Sequence, residues 1–242
     1  MIPKVVHYCW FGGSEMPELA TRCIESWKRY LPDYEFVLWN EKNFNINVNE
    51  YVRQAYKTKK YAFVTDYVRL YALYHYGGIY MDTDVEVLRN LDVFLRHRAF
   101  TGCEDEDMCV TGIMGAVPYH PWIEKLLKDY NDREFIIGLR RLDLTPNTQR
   151  ITYITIRDYG FVQEDKYQVL KDDLHIYPSE VFCAKDWRTG EVKVTERTYT
   201  IHHFAGSWVD KRKQRIRKAI TAILGESGFE SLLRVRNSLL QR

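Results

Sequence analysis

Residues 74–90 read YHYGGIYMDTDVEVLRN, and this stretch decides the fold. Two glycines follow an apolar segment with helical spacing, and a short apolar run from Ile79 to Met81 then leads into two acids, Asp82 and Asp84. Paired glycines at such a point are typical of a helix C-terminus. The apolar run after them predicts a buried strand. In an open α/β sheet, the carboxyl end of such a strand lies at the edge where ligands bind.

The segments before this stretch predict alternating strands and helices. The sequence IPKVVHYCWFGG, residues 2–13, predicts a buried strand that ends in a glycine turn, and YEFVLWN, residues 34–40, predicts a second strand. Between them a helix is predicted after Pro17 and before Pro32, and a longer helix is predicted at 61–76. A strand, a helix and a strand at this spacing are typical of a βαβ unit, so we expect an α/β fold with a parallel sheet.

The pattern after residue 90 is less regular. A strand is predicted at 99–103, followed by the acidic loop EDEDM at 104–108 and a helix at 121–130. A last strand is predicted within TYTIHHFAGSW, residues 198–208. No internal repeat or low-complexity linker interrupts this part of the chain.

The composition is that of an ordinary soluble globular protein. The 242 residues suit one large α/β domain, with 45% hydrophobic and 28% charged residues. Five scattered cysteines argue against a disulfide framework and favour a reducing compartment, which we take to be the cytoplasm. The run from Ile2 to Trp10 lacks the charged start and the cleavage site of a signal peptide, and no apolar stretch is long enough to span a bilayer.

The C-terminal tail differs in charge from the body. From Trp208 to the end there are nine basic and three acidic residues, whereas the remainder has a net charge of −4. We predict one domain at residues 1–208 and a tail at 209–242, formed by two amphipathic helices broken at 225–228. The flanking basic residues suit an interfacial helix on an anionic membrane, and a helical pair docked on the protein's own domain fits almost as well. Nucleic acid is not expected as a partner, because the body is acidic and no recognition motif is present.

The two acids Asp82 and Asp84 are candidate metal ligands. In a strand, residues two apart point to the same side, so both carboxylates can face one point. Hard carboxylate oxygens favour Mg²⁺ or Mn²⁺ over softer metals. Such an ion neutralises the charge that develops on a leaving diphosphate. The competing interpretation is that both acids only solvate a turn, because a DXD pattern alone is a weak signal.

The context of these acids resembles glycosyltransferase family 32, the DXD-containing sugar-binding family that includes capsular and lipopolysaccharide synthesis enzymes. The resemblance lies in YAFVTDYVRLYALYHYGGIYMDTDVEVLRN, residues 61–90, and extends to residues 2–13 and 198–208. It implies a GT-A fold, with a Rossmann-like, mostly parallel central sheet, flanking helices and a helical tail. It also implies a nucleotide-sugar donor, with a UDP-hexose favoured, Mn²⁺ or Mg²⁺ as the cofactor, and transfer with retention of configuration.

The resemblance assigns roles to residues of the first half of the chain. Asp84 resembles the direct metal ligand, Asp82 a contact to ribose or to the metal, and Trp10 the ring that stacks on the base. Asp66 would accept hydrogen bonds from donor-sugar hydroxyls, and Arg69 would hold the sugar or a phosphate. The competing interpretation of this pair, three residues apart on a helix, is a surface ion pair of small energy. A remaining candidate for the pocket wall is Tyr80, for which a core position is nearly as well supported.

The segment near residue 203 supplies the last candidates. Adjacent residues at a strand end point to opposite faces, so one of His202 and His203 can enter the site while the other packs. We predict His203 as the third metal ligand, because His-Phe-Ala-Gly fits the small-residue turn of the family, and His202 stays open. Ser207 and Trp208 lie where relatives close over the diphosphate, and for Trp208 plain packing is an equal alternative.

The function predicted from these features is transfer of a hexose to a saccharide or lipid-linked acceptor in cell-surface polysaccharide synthesis. The place predicted for it is the cytoplasm, with peripheral contact to the inner face of the membrane through the tail. A phosphohydrolase of the haloacid dehalogenase type is the first alternative, although Glu86 stands where that family has Thr or Ser. The second alternative is a non-catalytic module that binds a sugar or a nucleotide.

Overall fold

The computed structural model describes residues 1–109, 112–139 and 141–206. The helices of these residues are α1 Glu18–Tyr30, α2 Glu50–Lys57, α3 Tyr61–Tyr76, α4 Pro121–Lys128, α5 Asn147–Tyr159 and α6 Ser179–Phe182. The strands are β1 Val5–Cys9, β2 Glu35–Trp39, β3 Gly78–Met81, β4 Val85–Val87, β5 Ala99–Gly102, β6 Ile113–Ala116, β7 Ile136–Ile137, β8 Arg141–Leu142, β9 Gln168–Leu170, β10 Leu174–Tyr177 and β11 Thr200–His202.

Seven of these strands form the central sheet, in the order β2-β1-β3-β6-β5-β10-β9. Strand β1 pairs in parallel with β2 and β3, and β10 pairs in parallel with β5. Strand β6 is antiparallel to both β3 and β5, so those two strands run in the same direction. Five strands therefore share one direction, and β6 and β9 oppose them. The predicted α/β fold with a mostly parallel sheet is confirmed.

The helix and strand at the centre of the prediction form where the sequence placed them. Helix α3 covers the predicted residues 61–76, and it ends because Gly77 has a φ of 66° and returns its N–H to the carbonyl of Leu73. Gly78 has a φ of 95°, and a Cβ atom there would lie 2.6 Å from the Val5 carbonyl oxygen. Only glycine allows this combination of positive φ and close backbone approach. The glycine pair therefore lets strand β3 turn back beside β1.

The core has one apolar layer on each side of the sheet. Helices α2, α3, α4 and α5 contribute to one layer, and α1 and α6 contribute to the other. Strand β3 shows the division, because Ile79 and Met81 pack into the second layer while Tyr80 packs into the first. All three are almost completely buried. Residues on the Tyr80 side of β3 therefore face helix α3, which supplies much of the site described below.

Several local predictions need correction. Helices α2 and α5 were not predicted: α2 has only 8 residues, too few for a repeated apolar period, and the apolar residues of α5 are less regularly spaced. Helix α3 is buried on most of its circumference rather than along a single stripe. The DTD segment is a turn between β3 and β4, closed by a 3.0 Å hydrogen bond from the Val85 N–H to the Asp82 carbonyl, and it is not a strand.

Residues 1–205 form one compact unit. The predicted tail at 209–242 lies outside the described residues, so its division from the domain stays a prediction. Among the described helices, none has both the length and the apolar character needed to cross a bilayer. All five cysteines are free thiols and are buried.

Candidate active site

The carboxyl ends of four strands meet at one edge of the sheet. Strands β1, β3, β5 and β10 run in the same direction, so the residues that follow them lie at that edge. Trp10 follows β1, Asp82 follows β3 and Glu104 lies just after β5. Polar side chains from separate parts of the sequence therefore gather around the DTD turn.

Asp66 and Arg69 of helix α3 point toward this edge and are buried. An Arg69 Nη2 donates to Asp66 Oδ1 at 3.0 Å and lies 3.3 Å from Asp82 Oδ1. The Arg69 guanidinium carbon also lies 4.6 Å from the centre of the Tyr80 ring, which is a cation–π contact. Tyr80 in turn donates its hydroxyl to Asp82 Oδ1 at 2.8 Å. The alternative of a surface ion pair is wrong, because Asp66 and Arg69 are only 9% and 4% exposed.

Burial sets the protonation of this group. Burial raises the pKa of Asp66 to about 6, although Arg69 opposes the rise. Burial lowers the pKa of Arg69, but the negative charge of Asp82 and the other acidic neighbours outweigh it and hold the pKa above its ordinary value. Arg69 is therefore a permanent cation between two acids, and Asp66 is the member of the group that titrates near neutrality.

Asp84 is fixed by the segment that follows β11. Its Oδ2 accepts the backbone N–H of Ala205 at 2.7 Å, and its carbonyl accepts the N–H of His203 at 2.9 Å. Asp82 is fixed from the other side, where its N–H donates 2.8 Å to the Gly112 carbonyl. The DTD turn is thus held between β6 and the end of β11, although these segments are far apart in sequence.

His202, not His203, faces the two aspartates. Asp82, Asp84 and His202 each offer a ligand atom, and these atoms lie within 4.8 Å of one another. His203 instead lies against Glu86, with Nε2 2.7 Å from Glu86 Oε2. The register of β11 against β4 explains the difference. His202 points to the same face as Thr200, whereas His203, two residues after Ile201, points to the face of Ile201 and of its partner Glu86. The predicted opposition of the two histidines holds, and the choice of His203 is corrected to His202 as the neighbour of the acids.

Asp84 and His202 polarise each other. Burial raises the pKa of Asp84, but the His202 charge and the hydrogen bonds to His202 and Ala205 outweigh it and bring the pKa to about 2. Burial lowers the pKa of His202, but the Asp84 carboxylate outweighs it and raises the pKa well above its usual value. Within the cluster of Asp82, Asp84 and His202, the negative charge of Asp84 and the positive charge of His202 therefore stabilise each other.

These residues fit a divalent metal ion. Two carboxylates with one imidazole form a donor set that suits Mn²⁺ and Mg²⁺ better than softer ions. His202 Nδ1 is buried and makes no hydrogen bond within the described part of the chain. Gly112 lies against the same ring, where a Cβ atom would approach Nδ1 to 2.9 Å. The imidazole is therefore confined beside the two acids.

The remaining predicted site residues are Trp10, Tyr80, Ser207 and Trp208, and the structure describes the first two of them. Trp10 lies at the same sheet edge, partly exposed, and its indole N–H donates to the Ser14 carbonyl at 2.7 Å. Tyr80 is fully buried below the aspartates, so it supports the site from the core. Ser207 and Trp208 lie outside the described residues, and their predicted closure over the diphosphate stays a prediction.

Two further residues of the site were not among the predicted ones. The sequence left open whether Glu104, in the acidic loop, approaches an acceptor or is simply solvated. Burial is the main cause of its raised pKa, and the charges of His202 and Asp82 also act on it. Asn147, at the start of α5, accepts the Tyr130 hydroxyl at 3.3 Å through Oδ1. Its side-chain amide lies beside Asp66 and lowers the pKa of that carboxyl by hydrogen bonding. Asn147 therefore favours the ionised form of Asp66.

Comparison with known proteins agrees with this geometry. Residues 17–101 match the model of the glycosyltransferase sugar-binding region containing the DXD motif. The match includes helix α3 and the DTD turn. Over this stretch the chain is similar to the DXD-containing glycosyltransferases of family 32.

The curated proteins to which the chain is similar include two yeast proteins named for mannosyl transfer. Inositol phosphoceramide mannosyltransferase 2 of Schizosaccharomyces pombe is 32% identical over 133 residues, which cover 53% of the chain and 38% of that protein. Mannosyl phosphorylinositol ceramide synthase SUR1 of Saccharomyces cerevisiae is 31% identical over 132 residues, which cover 53% of the chain and 34% of that protein. The chain therefore matches well under half the length of these relatives.

A solved structure supports the fold. The PaToxG glycosyltransferase superposes with a TM-score of 0.51 at 16% identity, covering 65% of this chain and 70% of that one. At this identity the likeness concerns the fold alone. The GT-A fold implied by the sequence resemblance is confirmed.

Proposed function

We propose that the chain transfers a hexose from a nucleoside diphosphate sugar to a hydroxyl acceptor, with a divalent metal at the DTD turn. The observation that carries the proposal is the convergence of Asp82, Asp84 and His202 beside the buried pair of Asp66 and Arg69. The first three residues are suited to a metal-bound diphosphate, and the pair is suited to a sugar. Both parts of a nucleotide sugar thus find matching chemistry at one sheet edge.

The metal would be held by Asp82, Asp84 and His202. Bound there, Mn²⁺ or Mg²⁺ would neutralise the negative charge on the diphosphate leaving group. The protein contributes the fixed orientation of the ligands, because the Ala205 N–H holds Asp84 and the Tyr80 hydroxyl holds Asp82. Ligands that are oriented by a second layer of hydrogen bonds bind metal more tightly than mobile ones.

The donor sugar would lie against Asp66 and Arg69. An ionised Asp66 accepts hydrogen bonds from sugar hydroxyls, and Asn147 beside it favours this ionised form. The hexose that we propose is mannose, because the yeast relatives are named for mannosyl transfer. The family resemblance at Trp10 favours uracil as the base, with guanine as the competitor in the titration below.

The acceptor that we propose is a hydroxyl of a saccharide or of a lipid-linked head group. Two settings fit, namely synthesis of a capsular or lipopolysaccharide-type polymer and modification of a phosphoinositol lipid, for which the yeast relatives are named. Retention implies that the acceptor oxygen bonds to the sugar carbon on the face that the diphosphate leaves. The departing diphosphate oxygen takes the acceptor proton. A position at the inner face of the cytoplasmic membrane, reached through the tail, belongs to the same proposal.

Calorimetric titration of UDP and GDP, with and without Mn²⁺, tests the site. Metal-dependent binding of one nucleotide that is lost in Asp84→Asn supports the proposal and identifies the base. The matched control is Asp158→Asn, a carboxylate paired with Arg157 at the surface of α5, which should bind as wild type. Equal binding without metal, or binding of neither nucleotide, would refute the metal site.

Product analysis then separates the competing functions. Incubation with GDP-mannose or UDP-hexoses and a phosphoinositol lipid or a polysaccharide acceptor should give a glycosylated acceptor, or free sugar from slow donor hydrolysis. Cleavage of phosphomonoesters instead would favour the phosphohydrolase. Nucleotide binding with no transfer and no donor hydrolysis would favour the binding module.

A further inference from the structure

Two buried cysteines are paired across the backbone at the base of the acidic loop. Cys103 and Cys109 form an isolated antiparallel bridge that closes residues 104–108, and both side chains are fully buried free thiols. The loop carries Glu104 toward His202 and Asp82. A covalent link between these two residues would therefore close the loop at its base.

The hydrogen bonds define the type of pairing. The N–H of Cys103 donates 2.7 Å to the Tyr177 carbonyl, and the N–H of Cys109 donates 2.9 Å to the Thr152 hydroxyl. The two residues thus do not exchange backbone hydrogen bonds, and the bond inside the loop runs from the Glu104 N–H to the Met108 carbonyl at 2.7 Å. This is the pattern of a non-hydrogen-bonded antiparallel pair, in which the Cα atoms lie about 4.5 Å apart and the side chains approach closely.

This geometry falls within the range of disulfides. Disulfide-linked cysteines have Cα atoms about 4.4–6.8 Å apart, and directly opposed residues of an antiparallel pair project to the same face. We propose that Cys103 and Cys109 are a disulfide-forming pair, oxidised whenever the protein meets an oxidising thiol–disulfide environment. The inference does not depend on the proposed function, because it concerns the covalent state of the chain.

Burial of the two thiols determines how fast they can react. Burial raises the pKa of Cys109 to about 12, and it raises the pKa of Cys103 further. The second largest cause of the raised pKa of Cys103 is its nearness to Cys109. Because thiolates are the reacting species, the folded pair should react slowly. The bridge should form fastest in the unfolded chain or during local opening of the loop.

The oxidant can be a small disulfide such as oxidised glutathione. The thiolate of one cysteine attacks it, a sulfur–sulfur bond breaks, and one glutathione thiol leaves with a proton. The second cysteine then attacks the mixed disulfide and releases the second glutathione thiol. Two protein thiols and one oxidised glutathione thus become one protein disulfide and two reduced glutathiones.

The bridge would fix a loop that reaches both the site and its surroundings. Asp105 accepts hydrogen bonds from the Trp187 indole at 3.3 Å and from the Arg188 guanidinium at 2.9 Å. Glu104 lies on the same short loop, near His202 and Asp82. Closing its base covalently should restrict the amides of residues 104–108, which exchange with solvent only when the loop opens.

The test is to map disulfides in the full chain in a buffer of ~1 mM oxidised and ~1 mM reduced glutathione. One sample is the native protein at equilibrium, and a second is refolded from urea in the same buffer, so that burial of the thiols cannot prevent the reaction. We expect a Cys103–Cys109 link in more than about 80% of the refolded chains, as for a well-formed structural disulfide. Amide exchange at 104–108 should slow by about tenfold or more in the oxidised form.

The controls separate this pair from the other thiols. Cys109→Ser should abolish the link, and Cys23→Ser, a buried cysteine of α1, should leave it unchanged. Free thiols at both positions in both samples would overturn the inference. A link from Cys103 to Cys183, whose charge also reaches Cys103, would overturn it as well.

Discussion

Asp66 combines burial with a position beside the proposed sugar pocket, so its protonation should control donor binding. Its pKa is raised to about 6 by burial, against the opposing effect of Arg69. Above pH 6 the carboxylate accepts hydrogen bonds from sugar hydroxyls, and below pH 6 it is protonated and loses this capacity. We therefore expect the affinity for the nucleotide sugar to fall as the pH drops through 6.

Calorimetry at pH 5.0 to 8.0 checks this expectation. Asp66→Asn should weaken binding at pH 7.5 by about 10- to 100-fold, as expected for hydrogen bonds to a charged group, and should remove the pH dependence near 6. The same nucleotide without its sugar is the control, and its affinity should be the same for the wild type and the variant. An unchanged pH profile in Asp66→Asn would contradict the assignment.

At single residues, the sequence identified the acids of the site but not their geometry. The DXD pattern and the i, i+3 spacing drew attention to Asp66, Arg69, Asp82 and Asp84, and the resemblance to family 32 gave them their predicted roles. Nothing local distinguishes His202 from His203, because the choice depends on the register of β11 against β4. Asn147 was missed for a similar reason, since it reaches Asp66 only through the packing of α5, which begins in a segment without a clear period.

At the scale of elements, strand β6 separates the site from the core within four residues. A Cβ atom at Gly112, just before β6, would lie 2.9 Å from His202 Nδ1, whereas one at Gly115 would lie 2.2 Å from the Phe100 ring. Phe100 is completely buried, so its ring has less room to move than the His202 ring at the edge of the sheet. The same chemical change should therefore have different effects at the two glycines.

Two alanine variants test this separation. Gly115→Ala should lower the free energy of unfolding by about 1–3 kcal/mol through overpacking, and the folded fraction should bind nucleotide normally. Gly112→Ala should displace the His202 ring and weaken metal-dependent nucleotide binding by about 10-fold or more, with a smaller effect on stability. Chemical denaturation and calorimetry measure the two effects, and a reversed pattern would contradict the placement of His202.

A helix or strand was predicted correctly where the residues that mark its end lie next to it in the sequence. Helix α3 was predicted to the residue, because a glycine pair ends it. The strand was predicted to end at Met81, as β3 does. The two acids after it were nevertheless given the alternating geometry of a strand, although they lie in a turn. Helix α2 contains few residues, and its Asn49 cap, which accepts the Val52 N–H, was not used as a signal.

At the scale of the whole molecule, the sequence predicted the class of fold but not the strand order. Parallel pairing of β1 with β2 and β3 follows from the βαβ pattern. The position of β6 between β3 and β5 does not, because its small residues, Gly115 among them, carry no directional signal. That antiparallel strand brings the ends of β3 and β5, and hence Asp82 and Glu104, to the same edge.

Two buried histidines make the fold sensitive to acid. Burial lowers the pKa of both His7 and His97 to about 4, from an ordinary value of 6.5. The proton position at His7 is defined by its partners: the Trp39 indole can only donate, so Nδ1 accepts it at 3.2 Å, and Nε2–H donates to the Gly77 carbonyl at 2.8 Å. A proton added at Nδ1 would break the bond to Trp39.

The sign of the pH effect follows from these values. Between pH 6.5 and 4 the unfolded chain binds a proton at each histidine that the folded chain does not, so folding stability falls as the pH drops through this window. Asp66 acts in the opposite direction, because its raised pKa favours the protonated folded state below about 6. A variant that removes only one histidine is therefore needed to isolate its contribution.

His7→Gln is that variant, because a glutamine side chain can accept from the Trp39 indole and donate to the Gly77 carbonyl without titrating. We expect wild type and variant to have similar free energies of unfolding at pH 7.5. At pH 5 the wild type should lose about 1–2 kcal/mol more than the variant, since roughly 1.4 kcal/mol corresponds to each pH unit of the window. Urea denaturation at both pH values measures the difference, in which the contributions of Asp66 and His97 cancel. Equal losses in the two proteins would show that the fold does not lower the pKa of His7, despite its burial at the junction of β1 and α3.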